Sequence, residues 1–216
     1  SGILAFAICM LAVPVLMVSQ NWDDHDRSNR TISADYAKCY LQSCDKNAIL
    51  FTNGDNDTYP LWYAQNIEGV RPDIRIINLS LLNTDWYVDV LNRKVYDSEP
   101  IKLTLKPNQY VTGVRDQIFY YAQGKKLPDY TDLSTLMKFI CDDKNVVSMQ
   151  GGGDAYSYYP TNKLSVKINK EECRKNEVVQ PEDDSLMVDS IIWDMPKDKY
   201  ILKKDLVTLD IIANNI

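Results

Sequence analysis

From Ile3 to Val18 the chain carries no charged side chain, and Pro14 is its only helix-breaking residue. Such a run must leave water, either in a protein core or in a bilayer, and its choice decides where everything after it sits. A spanning helix needs about 20 apolar residues, so the run is slightly short, and it begins where the chain begins. A secretory leader needs a basic start and a small-residue cleavage site, and neither is visible. A buried core helix is the remaining rival. Pro14 is easier to accept in a membrane helix than in a soluble one. The end is abrupt: Ser19, Gln20, Asn21 and Trp22, then Asp23, Asp24, His25, Asp26 and Arg27. A tryptophan where an apolar run meets charge suits the interfacial aromatic belt. The expectation is the end of a transmembrane helix over residues 1–21 and one soluble domain over 22–216. Arg27 and Arg30 stand among several aspartates, too weak a basic excess for a cytoplasmic flank, so the positive-inside rule points to the non-cytoplasmic side.

The rest of the chain is long enough for one sizeable core, with 45% hydrophobic and 25% charged residues, the balance of a globular protein. A net charge of -6 and the absence of a basic stripe exclude nucleic acid as the expected partner. Five scattered cysteines with no Cys-x-x-Cys, and His25 as the only histidine, argue against a structural zinc site. Without Cys9 an even set remains that an oxidising compartment could pair. The simplest reading of Cys39, Cys44, Cys141 and Cys173 is as small buried hydrophobes.

Periodicity predicts a helix over Asp26 to Ser43, with Ile32, Tyr36, Cys39 and Tyr40 as its apolar face. Ala48 to Thr52 reads as a buried strand. Tyr59 to Glu68 reads as a helix with Pro60 in its first turn and Gly69 as its stop. Asp73 to Asn78 reads as a second strand, and a helix capped by Thr84 or Asp85 runs to about Asn92. This alternation predicts a right-handed β-α-β unit with parallel strands. Further on, Ile101 to Leu105, Lys163 to Ile168 and Ser190 to Trp193 read as strands. Arg115 to Gln123, Leu133 to Cys141 and Lys203 to Ala213 read as helices. Gln150 to Asp154 reads as a flexible glycine loop, and Gln180 to Ser185 as a solvated acidic one. The predicted class is α/β: an open, mostly parallel mixed sheet with flanking helices.

Three polar motifs stand out: Asp23 to Arg27, Asn53 to Thr58, and Asn78 to Asp85. The predicted topology gathers them at the carboxyl ends of the parallel strands, the rim where open α/β sheets usually bind ligands, facing the membrane. The candidate binding residues are Asp24, His25, Arg27, Asn53, Asp55, Asp57, Asn83 and Asp85. Each motif also has a purely structural reading, as turn chemistry, as capping or as ion pairs at the linker. Asp24, Asp55 and Asp57 are oxygen donors of the kind a divalent cation such as calcium takes, although the spacing matches no EF-hand. No other cofactor is implied. Gly151 to Gly153 lacks the lysine and helix of a phosphate-binding loop, the strand-helix turn after Thr52 lacks the dinucleotide fingerprint, and no nucleophile elbow is present.

These motifs, quoted as Asn21 to Ser28, Ala48 to Thr58, Pro60 to Gln65 and Asn78 to Trp86, with Tyr159 to Leu164 and Tyr200 to Leu206 behind them, resemble a bacterial family of multi-pass membrane proteins. That family is described as a domain of unknown function distantly related to animal protein O-mannosyltransferases. The resemblance implies an integral-membrane glycosyltransferase of the inner membrane with a lipid-linked sugar donor and a periplasmic face. Its catalytic acid would lie near the first membrane helices, outside this stretch, and its chain would continue past Ile216. This chain is then expected to be a non-catalytic periplasmic domain that partners the membrane, the rest of its own protein, and an acceptor protein or glycan. The rivals are a purely structural interaction domain and a stand-alone metal-dependent hydrolase.

Overall fold

The apolar start forms one helix in the computed structural model, which describes residues 1–148 and 155–216. This helix, α1 (Gly2–His25), has 24 residues and none of them is buried against the rest of the protein. At 1.5 Å per residue it is about 36 Å long, enough for a hydrocarbon core of about 30 Å. The apolar segment expected to end at residue 21 therefore continues as helix to His25. Its C-cap Asp26 turns the chain, with Oδ1 accepting from Ser28 N–H at 2.9 Å and Ser28 Oγ at 2.6 Å.

The remaining helices are α2 (Ile32–Gln42), α3 (Asp55–Asn66), α4 (Asp85–Leu91), α5 (Pro107–Tyr110), α6 (Leu133–Cys141), α7 (Lys170–Lys175) and α8 (Lys203–Asn215). The strands are β1 (Ile49–Thr52), β2 (Arg75–Asn78), β3 (Gln117–Tyr120), β4 (Thr131–Asp132), β5 (Val146–Ser148), β6 (Ala155–Tyr159), β7 (Lys163–Lys167), β8 (Ser190–Asp194) and β9 (Tyr200–Leu202). The class is α/β with mixed sheets and flanking helices, as expected. The predicted parallel pair is present: β1 and β2 run parallel with Thr52 opposite Asn78 and α3 between them in sequence. A second ladder runs β5-β6-β3-β9, with β3 parallel to β6 and antiparallel to β9. A third runs β4-β7-β8.

Two cores result. The smaller packs Ala37 and Leu41 of α2 against Leu61 and Ala64 of α3, with Ile76 of β2 and Ile74 just before it beneath. The larger joins β2, α4, β3, α6, β6 and α8.

Several expectations fail for identifiable reasons. α2 starts at Ile32 rather than Asp26, and its buried side is Ala37 and Leu41, while Ile32, Tyr36, Cys39 and Tyr40 are exposed. The two helices meet through small side chains, and the tyrosines, too large for that contact, turn outward. α3 starts four residues earlier than predicted, because Gly54, at φ 110°, supplies a turn that other residues rarely adopt and the acidic first turn follows at once. Pro60 thereby falls in the second turn. Arg115 to Gln123 holds strand β3 rather than a helix, since Ile118 buries on one side of the ladder between β6 and β9. Cys39 is exposed, not buried, and all five cysteines are unpaired thiols. Cys141 is partly buried, and burial pushes its thiol up to about 12. The predicted glycine loop lies outside the described residues.

Ile101 to Leu105 is not a strand, although it alternates like one. Its backbone is bound by side chains of α8. Asp210 Oδ2 accepts from the amides of Thr104 (2.8 Å) and Leu105 (2.9 Å), and Asn215 exchanges hydrogen bonds with the amide and carbonyl of Lys102. Asp210 is fully buried. Desolvation raises its pKa against the pull of those amides.

Loop carbonyls at helix ends find donors in arginines. Arg71 Nη1 donates to the carbonyls of Leu41 (3.1 Å) and Cys44 (2.8 Å), and Nη2 to that of Asp45 (2.9 Å). The same guanidinium clamps Asp73 through Nε (2.8 Å) and Nη2 (2.9 Å). That pair, helped by the Asn47 amide, holds the Asp73 carboxyl down at about 2. Arg115 Nη2 donates to the Ile140 carbonyl near the end of α6 and to Asp143.

Two outcomes test this bonding. Asp210→Ala strands one buried and one half-buried amide and is expected to lower stability by about 2–3 kcal/mol, read as a shift in the urea midpoint, with Asp210→Asn milder. Asp73 has a folded pKa below its unfolded value near 3.8, so its contribution is full above that value and is lost as pH falls toward 2. Allowing for partial exposure, Asp73→Asn is expected to be less stable than the native chain by about 1–2 kcal/mol at neutral pH, and the gap should close near pH 2.

Candidate functional site

At the carboxyl ends of β1 and β2 a buried polar network holds the loop that follows each strand. Thr52 ends β1 and its Oγ1 lies 2.7 Å from Thr58 Oγ1. Thr58 also donates to the Gly54 carbonyl at 2.6 Å, closing the Asn53 to Thr58 loop on itself. Across the pair, Asn78 ends β2 and its Nδ2 donates to Thr58 Oγ1 at 3.0 Å. Asn78 Oδ1 accepts from the amides of Ser80 (2.9 Å) and Leu81 (3.3 Å), which sets the course of the second loop. The Asn78 amide itself donates to Tyr87 Oη at 2.9 Å. Thr52, Thr58, Asn78 and Tyr87 are all buried, so the network is shielded from competing water.

The result is a rigid floor under an exposed rim. Asn53, Asp55, Asn56 and Asp57 project from it, and Tyr59 and Trp86 stand exposed beside the loops in sequence. Asp55 and Asp57 lie in the first turn of α3, where a carboxylate also steadies the helix dipole. The parallel register brings the starts of the second and third motifs together, since Thr52 faces Asn78. Among the described residues, no three His, Cys, Asp or Glu side chains gather closely enough to hold a metal ion.

The other candidates are differently placed. Asn83 Oδ1 caps the start of α8 by accepting from the Lys204 amide at 3.1 Å. Asp85 accepts from Lys203 Nζ at 2.8 Å and from the amide (2.8 Å) and hydroxyl (3.1 Å) of Thr112. Lys203 is only 2% exposed and reaches Asp116 as well, at 2.9 Å. Its hydrogen bond holds the Asp85 carboxyl low. Asn83 and Asp85 thus fasten α4 and its preceding turn to α8. Asp24 and Arg27 are exposed at the end of α1 and just after it, and His25 Nδ1 lies 2.9 Å from the Asn21 carbonyl of its own helix. No ion pair among Asp24, His25 and Arg27 is present; Asp26, which the motif reading passed over, organises the turn instead.

Sequence reasoning singled out the exposed loop residues and passed over the network beneath them. Thr52 and Thr58, six apart and flanking the Asn-Gly-Asp turn, were the available signal.

Residues 33–216 match the TMEM260-associated domain 2 family. Over 76 residues the chain is 26% identical to the mouse (Mus musculus) Protein O-mannosyl-transferase TMEM260, a stretch that covers 35% of this chain and 11% of the mouse protein. No solved structure matches the chain. The relation to protein O-mannosyltransferases that the rim motifs implied is supported at this level, and an apolar helix long enough to span a bilayer precedes the matched region. With nearly all of the folded domain inside the match, the chain belongs to the TMEM260-associated domain 2 family.

Proposed function

We propose that this chain is the periplasmic domain of an inner-membrane glycosyltransferase-like protein, and that its rim holds an acceptor protein or glycan beside the membrane part without catalysing the transfer. The observation that carries the reading is the pairing of an exposed polar rim with a rigid buried floor, in a domain that follows an exposed apolar helix. The name of the mouse relative, a protein O-mannosyl-transferase, supplies the reaction class. Glycosyl transfer must exclude water, or hydrolysis competes with it. The rim carboxylates Asp55 and Asp57 are open to solvent, which suits holding better than reacting. Holding an acceptor next to a membrane-embedded site raises its local concentration, and that alone accelerates transfer.

Two substitutions in the full-length protein test this. Asp55→Asn with Asp57→Asn keeps the loop polar and is expected to lower transfer by about tenfold at limiting acceptor, with thermal unfolding little changed. Unchanged transfer would leave the domain a structural element of the membrane protein. Thr58→Ala removes no exposed group, yet it unlocks the loop. It is expected to weaken acceptor binding, measured by calorimetric titration with glycopeptides, and to cost about 1–2 kcal/mol of stability. Divalent cations belong in the same titration, because tight cation binding with intrinsic hydrolysis would favour the metal-dependent hydrolase instead.

A further inference from the structure

Arg75 is a buried cation that the domain leaves without a counter-charge. It is 5% exposed, in the middle of the fold, on strand β2. Of its three guanidinium nitrogens only Nη2 has acceptors among the described residues, the carbonyls of Leu91, the last residue of α4, and of Arg93 just past it, and Nε, shut off from solvent, has none. No ion pair among the described residues includes it. The contrast with the other two helix-capping arginines is direct: Arg71 is paired with Asp73, and Arg115 with Asp143. Burying an unpaired cation is costly, and a fold that keeps one gains by meeting it with an anion.

Arg75 also lines a cleft of about 500 Å³. That falls within the size of small-molecule sites, about 300–1,000 Å³. The cleft lies at the amino ends of β1 and β2, the edge opposite the rim, and Asn47, Ser98, Lys102 and Asn176 share its lining. Asp73 and Glu99 line it too, but each is already paired, with Arg71 and Lys94. Glu172, on the α7 wall, accepts from the Asn169 side-chain amide at 3.2 Å and is the one opposing side-chain carboxylate outside an ion pair among the described residues. Lys102 is exposed and likewise in no ion pair there.

We propose that this cleft binds an oxyanion, a phosphate or a carboxylate carried on a small polar molecule, with Arg75 as the fixed counter-charge and Lys102 at the mouth. Nη2 already serves two carbonyls and Nε is shut off, so Nη1 is the nitrogen left to donate, and its charge strengthens a hydrogen bond to an anionic oxygen. Asn47, Ser98 and Asn176 supply neutral donors and acceptors for the polar body of the ligand. The site stands apart from the rim, so it does not rest on the acceptor-holding reading.

The test is calorimetric titration of the whole 216-residue chain in detergent with inorganic phosphate, glucose 6-phosphate, glucuronate and, as the neutral control, glucose. The anions are expected to bind and glucose is not. Binding of the phosphates alone assigns a phosphate site, and binding of glucuronate alone assigns a carboxylate site. Arg75→Gln is expected to abolish binding. Because Arg75 also caps α4, Lys102→Glu at the exposed mouth provides a variant that leaves the fold intact, with a loss of about tenfold or more in affinity. The proposal is overturned if no anion is bound by the folded chain up to about 10 mM, or if Lys102→Glu leaves the affinity unchanged. Equal binding of glucose would overturn it as well, since charge would then play no part.

Discussion

The last carbonyls of a helix have no partner inside it, and here side chains from elsewhere in the chain supply the donors. The helices and strands are short, so a large share of the backbone lies at element ends and must be satisfied by something other than a ladder. Arg71 closes α2, Arg75 closes α4 and Arg115 closes α6. Gln109 and Asn145 complete the end of α6 by donating to the carbonyls of Cys141 (2.7 Å) and Phe139 (2.9 Å). A cation at a helix C-terminus also meets the negative end of the dipole, so each arginine acts twice. The architecture depends on these bonds because, among the described residues, three separate sheets rather than one carry the backbone.

Lys203 does for the other ends what the arginines do for these. It is the first residue of α8, its amide donates to the Asp116 carbonyl at 3.0 Å, and its ammonium bridges Asp85 and Asp116. One side chain thereby joins the start of α4, the approach to β3 and the start of α8. Burial lowers the affinity of the amine for its proton, but the two carboxylates outweigh that and raise it. The carboxylates keep contact with solvent while the lysine does not, an arrangement that spares the cluster full desolvation of all three charges.

How far this was legible in the sequence depended on whether a residue's role was local. α6 was read with its bounds because Leu133, Leu136, Met137 and Ile140 repeat at helical spacing behind the capping Asp132. β1, β2 and their parallel pairing were read because a short apolar run between turn residues is a local signal. The outward tyrosines of α2 defeated the same reasoning, since hydrophobicity marks a face as apolar and only the partner helix decides which face fits. Ile101 to Leu105 defeated it differently. Alternation describes an extended segment, and nothing local tells that its amides end on Asp210, more than a hundred residues away. At the rim, the exposed aspartates were visible as a motif, whereas the reassignment of Asn83 and Asp85 to α8 required long-range bonds to Lys204 and Lys203.

The pair β1 and β2 places two different surfaces at its two ends. Each strand has four residues, so at about 3.3 Å per residue the Thr52–Asn78 end and the Ile49–Arg75 end stand roughly 10 Å apart. The rim network and the Arg75 side chain have no hydrogen-bond partner in common: one is satisfied by Thr58 and Tyr87, the other by carbonyls at the end of α4 and just past it. β2 is buried along its whole length, which makes it a stiff spacer rather than a hinge between them. The same four residues that join the two cores therefore carry the rim network at one end and the buried charge at the other, with Tyr87 of the network close enough to Arg75 to feel its charge.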